Sequence, residues 1–144
     1  MPLSRDAKLF TGITLLIIPT VQFGGLALLG MLTHGAAGTG GEHANLDDMQ
    51  TALFRAGHAH SGVWLVLSLV IQILLDSATL ARGLKLCVRS AALLGTAALG
   101  GSFFGLAFWP EFRFLLYLGA LAMFFAVVLA GIGLLRNLNS AAES

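Results

Sequence analysis

The chain has 144 residues, of which 57% are hydrophobic and 10% charged, with a formal net charge of +1. Soluble domains carry about 25% charged residues, and disordered chains combine low hydrophobicity with high net charge, so both classes are excluded. No basic excess is left for nucleic acid, and a single cysteine, Cys87, rules out an intramolecular disulfide or a CxxC metal pair.

Gaps between charged residues predict the elements. Lys8 to Glu42 encloses 33 uncharged residues, Arg55 to Asp76 encloses 20, Arg89 to Glu111 encloses 21 and Arg113 to Arg136 encloses 22. A bilayer core needs roughly 20 apolar residues per helix, and in lipid the backbone must satisfy its own hydrogen bonds. The expectation is an all-α integral membrane protein, one domain over residues 1–144, surrounded by the lipid bilayer. Its four transmembrane helices, near 9–33, 52–76, 88–109 and 112–136, form an antiparallel bundle.

The first apolar run follows Arg5 and Lys8 and continues for more than 20 residues. A signal-peptide core runs about 7–15, so this reads as a retained helix. It carries Gln22 near mid-membrane and the pair Gly24–Gly25. The connection at 34–51 opens glycine-rich, then turns acidic and polar through Glu42, His43, Asn45, Asp47, Asp48 and Gln50. Asn45 is the expected N-cap of the second helix, with Asp47 and Asp48 in the first turn, where the helix dipole favours acids.

In the second helix His58, Ser61, Ser68, Gln72 and Asp76 fall within about 80° of one another on a helical wheel. Polar groups at membrane depth face protein or water rather than lipid, so this stripe is the expected inner face, with Gln22 opposite and Arg55 at its mouth. A modest connection at 77–87 leads to the third helix. There Gly101 and Gly105 have the small-xxx-small spacing that lets helices approach closely, within the chain or against a second copy. The turn Pro110–Arg113 is short enough to force a hairpin with the fourth helix. Trp109 and Tyr117 fit an interfacial aromatic belt.

Lysine and arginine set the orientation. With the N-terminus inside, Arg5, Lys8, Arg82, Lys85, Arg89 and Arg136 lie on the cytoplasmic side, and only Arg55 and Arg113 lie outside. Both termini are then inside and the histidine-bearing loop is extracytoplasmic. Compact size, short loops and no organellar presequence point to a bacterial plasma membrane.

The non-random constellation is at the outer end. It gathers all four histidines (His34, His43, His58 and His60) with Glu42, Asp47, Asp48, Arg55, Glu111 and Arg113, ten of the chain's nineteen charged or histidine residues. Three readings stay open. The histidines hold the loop by hydrogen bonds; or they bind a transition metal (Cu, Zn or Fe) or haem b; or they line a proton-linked pocket for a small molecule, worked as an oligomer. For a metal, His34 and His58 are the first pair, with His60, His43, Glu42 and Asp47 as further ligands. His58 and His60 are about 200° apart on a helix, so they cannot share one ion there. A haem held by two helices has His34 with His58 or His60 available, or Met31, Met49 or Met123 as a second ligand. A scaffold or accessory subunit, packed against a larger membrane partner through its glycine faces, is the alternative from another class.

The string Phe54-Arg55-Ala56-Gly57-His58-Ala59-His60 resembles histidine-bearing helices of the haem-copper oxidase subunit I group, over seven residues. That resemblance implies a small relative or accessory of a respiratory membrane system. The further histidines of that family are missing here. No GxSxG, HExxH or Walker-type loop is present, and Cys87 reads as a small apolar filler.

Overall fold

The computed structural model describes residues 3–33 and 46–142. His34, Glu42, His43 and Asn45 lie outside the described residues. Within them the chain is all-helical, with α1 over Arg5–Leu32, α2 over Asp48–Leu74, α3 over Arg82–Leu106 and α4 over Phe112–Ala142. All four are long and apolar enough to cross a membrane.

Each boundary has a local cause. Ser4 caps α1, its Oγ accepting from the Ala7 amide, with Asp6 in the first turn. Pro19 sits inside α1, where a span tolerates it because neighbouring groups re-satisfy the backbone. The N-cap of α2 is Asp47 rather than Asn45. Its carboxylate accepts from the Gln50 amide at 2.7 Å while Gln50 Oε1 accepts from the Asp47 amide at 3.1 Å. Gln50 at the third helical position completes that reciprocal box. Helix α3 starts at Arg82, six residues before the expected 88. Arginine and lysine are good helix formers, so the helix begins in its basic stretch instead of at the apolar boundary.

The helices pack mainly with their chain neighbours: α3 against both α2 and α4, and α1 chiefly against α2. The core runs through Leu75, Val88, Ala92, Leu99, Met123, Ala126 and Ala130. Small residues bring α3 and α4 together. A Cβ on Gly119 would lie 2.7 Å from the Leu99 nitrogen and 3.0 Å from the Gly95 carbonyl, so only glycine fits there. Gly105 is packed under the Phe112 ring, whereas Gly101 is exposed with open space before it. The outward surface is apolar, with Leu16, Phe23, Val63, Leu94, Phe114 and Leu118 exposed, as suits a lipid environment.

At one end a polar cluster ties three helices. Arg89, two turns into α3, is only 1% exposed. Its guanidinium donates to Asp76 Oδ1 at 2.7 Å, to Gln72 Oε1 at 3.3 Å and to the Gln72 carbonyl. Gln72 Nε2 returns a bond to the Arg89 carbonyl at 3.1 Å. Asp76 also accepts from the Ser4 amide at 2.7 Å and the Ser4 hydroxyl at 2.8 Å. The start of α1, the end of α2 and the first half of α3 thus converge on one carboxylate. Arg82 and Asp6 add a looser pair at 3.6 Å.

Two outcomes follow. Arg89→Leu leaves Gln72 and Asp76 without their shared partner, and breaking a buried pair costs about 3–5 kcal/mol. Reversible unfolding in mixed micelles should show that loss, and a variant as stable as wild type would remove the cluster from its anchoring role. Burial pushes the Asp76 carboxyl up, but the two Ser4 hydrogen bonds and the Arg89 and Lys85 charges outweigh it and hold its pKa below the ordinary value of 3.8. With the folded pKa the lower one, the ionised carboxylate stabilises the fold above that ordinary value, and the contribution fades as pH falls below it. Wild type should therefore lose stability below about pH 4 more steeply than Asp76→Asn, measured by unfolding across pH 6 to 3.

Candidate functional site

Helix α2 carries both described histidines, and they diverge. His58 is half-buried against α1. A Cβ on Gly25 would stand 2.6 Å from its Cε1 and 2.8 Å from its Nε2, so the imidazole fills the space the missing side chain leaves. His60 is exposed on the other side, its Nδ1 2.8 Å from the Ala56 carbonyl and its ring 4.7 Å from that of Phe103 on α3. The geometry thus gives the two rings separate surroundings, as their 200° separation demands.

His58 faces a side-opening groove of about 820 Å³ between α1 and α2. Its walls are largely aliphatic, including Ile18, Val21, Leu26, Leu29, Leu65 and Val66, and the polar side chains on it are Gln22 and His58. Gln22 of α1 and His58 of α2 therefore meet one space. A smaller cavity of about 220 Å³ joins His58 to Ser61, Thr20 and Phe104. Ser61 donates to the Gly57 carbonyl at 2.7 Å and packs under Gly100. Among the described residues neither nitrogen of His58 has a hydrogen-bond partner. The ring is half-buried rather than sealed, so it offers a ligand position at the groove wall.

The rest of the expected polar lining separates. Gln72 belongs to the Arg89 cluster at the far end. Ser68 is fully buried and its hydroxyl has no partner among the described residues. Trp64, whose carbonyl is the usual helical acceptor for position 68, receives the Thr96 hydroxyl at 3.2 Å. Arg55 is exposed. Asp47 is occupied as the α2 cap, and Gln50 of the same box reaches the Ala107 carbonyl at 3.0 Å, tying α2 to the α3–α4 turn. Met123 is sealed in the core beside Thr96, away from the groove, while Met49 is exposed.

Among the described residues no three His, Cys, Asp or Glu side chains converge on a point. The tetrahedral set that Zn or Cu(I) requires is therefore not formed by them. The groove thus offers one imidazole and one amide against largely aliphatic walls. Sequence reasoning missed two partners. In the sequence Gly25 shows only as half of a glycine pair, and Arg89 only as the edge of a span. The spacing of Gln72 and Asp76, one helical turn apart, was the available signal for a cation opposite them.

No family model, curated protein or solved structure matches this chain.

Gly25→Ala should displace the imidazole or spread α1 from α2, costing about 1–3 kcal/mol as overpacking does. The neighbouring Gly24, with nothing within 4 Å of an added Cβ, should accept alanine with no loss. Unfolding of the two variants side by side checks this, and equal behaviour would show that the His58–Gly25 contact carries no weight.

Proposed function

We propose that this chain is a small integral membrane protein for a b-type haem in the α1–α2 groove, which His58 would hold, and that it serves redox chemistry in a bacterial plasma membrane. The observation that carries this reading is the half-buried His58 imidazole, unpartnered among the described residues, at the wall of a largely aliphatic groove of about 820 Å³. Pockets for cofactors are mostly apolar, with few polar groups fixing the orientation, and Gln22 is the second such group here. Bound there, a haem would supply one-electron chemistry, while the chain supplies the imidazole, the apolar walls and the exclusion of water. His34, His43 and Glu42, outside the described residues, remain candidates for a second ligand.

The same proposal sets the helices antiparallel, with both termini cytoplasmic and loop 34–51 outside. Its support is the meeting of Ser4, Asp76 and Arg89 at one end and the short connections 75–81 and 107–111. The bias of Lys and Arg toward that end gives the direction. An accessory subunit is the second reading. The feature that favours it is Gly101, exposed on α3 with no intrachain neighbour over it, where a partner helix has room to approach.

Protein purified in mild detergent without added haem should show a Soret band and near-stoichiometric iron. Both should disappear in His58→Ala and persist in His60→Ala, with the helical content of the two variants unchanged. A featureless spectrum with no metal would sink the haem reading and move weight to the accessory one, which expects co-purifying membrane proteins lost on Gly101→Leu.

A further inference from the structure

The pocket at the opposite end of the molecule is chemically unlike the His58 groove. It has a volume of about 580 Å³ and lies where α1 begins, α2 ends and α3 begins. Arg5, Arg82, Lys85 and Arg89 line it, four of the chain's eight lysines and arginines, against Asp6 and Asp76 among seven acids. A chain with net charge +1 has thus concentrated cations at one place.

Those charges are not equivalent. Asp76 is saturated by Ser4 and by Arg89, so its charge is already compensated. Among the described residues, what remains on the pocket is Arg5, Arg82 and Lys85 facing Asp6. Arg82 holds Asp6 only at 3.6 Å, with its own side chain 89% exposed. Lys85 spends one of its three donors, on the Asp76 carbonyl at 3.2 Å. The remaining donors are free to converge on an anion. The N-cap of α3 is Ala81, which offers no side-chain acceptor, so the first-turn amides add partial positive charge to the same place.

Ser4 and Ser77 also line it, and Leu3, Ile73 and Leu80 supply its apolar wall. A purely aqueous anion has no use for that apolar wall. The pocket also sits at the ends of helices long enough to cross a bilayer, at the depth of lipid headgroups. We propose that it binds the phosphodiester of an anionic phospholipid, with Arg82 and Lys85 on the phosphate, Arg5 at the rim and the apolar residues against the glycerol and first acyl carbons. Basic pockets between membrane helices bind such headgroups, and each nearby cation contributes about fivefold in affinity.

The test is native mass spectrometry of the delipidated full chain, titrated with dioleoyl phosphatidylglycerol or dioleoyl phosphatidylcholine. Wild type should retain one phosphatidylglycerol about 25-fold more tightly than phosphatidylcholine, whose choline cation offsets at its own phosphate what the two cations would gain. Arg82→Gln/Lys85→Gln should erase the preference, and Arg113→Gln, at the other end, should keep it. Should the double variant fail to fold, Arg82→Gln alone removes an exposed side chain and should lower the preference about fivefold. Equal retention of the two lipids by wild type would overturn the proposal, as would a preference that survives the folded variants. Displacement of phosphatidylglycerol by equimolar inorganic phosphate would overturn the lipid assignment and leave a free-anion site. No displacement supports the lipid.

Discussion

A guanidinium buried in an apolar chain is the constraint around which this fold is organised. Taking such a charge out of water costs several kcal/mol unless partners replace the lost hydration. Arg89 gets them from a single neighbouring stripe: Gln72 and Asp76, one turn apart at the end of α2. The exchange is reciprocal, since Gln72 also bonds the Arg89 backbone. Two helices that share charged and amide bonds on both sides have little freedom to slide or rotate. Asp76 then recruits Ser4, so the residue that caps α1 is also the one that attaches it.

The rest of α1 is held by softer means. Beyond its anchored start it packs chiefly on α2, and its outward face is open. Near its other end the contact is Gly25 under His58, a backbone against a ring with no hydrogen bond between them. Few buried contacts and an open flank mark the segments of a protein that open first. The groove therefore lies along the less firmly held part of α1, while its start stays fixed at Asp76. Helix α4 is held differently again, by the Gly95–Gly119 approach to α3 and the bond from the Thr79 amide to the Gly133 carbonyl at 2.8 Å.

Much of the fold was legible because charge spacing and hydropathy decide it. Four apolar runs bounded by charges became four helices, with ends shifted by up to six residues where basic or capping residues extended the helix outward. The divergence of His58 and His60 followed from helical geometry alone, and the meeting of Gln22 with His58 from the polar stripe. The Arg89 cluster was not legible in this way. A lysine or arginine near a span's end reads as an interfacial marker, and only the rotation of α3 against α2 turns this one inward. Gly25 was equally silent, because a glycine shows nothing of what lies opposite it. The three donors at His34, Glu42 and His43 lie outside the described residues, so the donor set at the histidine end rests on α1 and α2 alone.

The two polar regions are also physically separate. His58 and Asp76 are eighteen residues apart along α2 and its end, roughly 27 Å at 1.5 Å per residue. No described hydrogen bond or ion pair links them, and Ser68, which lies between, is an unpartnered hydroxyl rather than a relay. Distant sites without shared partners contribute additively. Loss of the cations at one end should leave His58 and its groove unchanged, and loss of the imidazole should leave the headgroup pocket intact. The chain thus keeps its cations at one end of the bundle and its described imidazoles toward the other. Both regions draw on α2, which carries His58 at the α1–α2 groove and leads, just past its last turn, into Asp76, the carboxylate that neutralises Arg89.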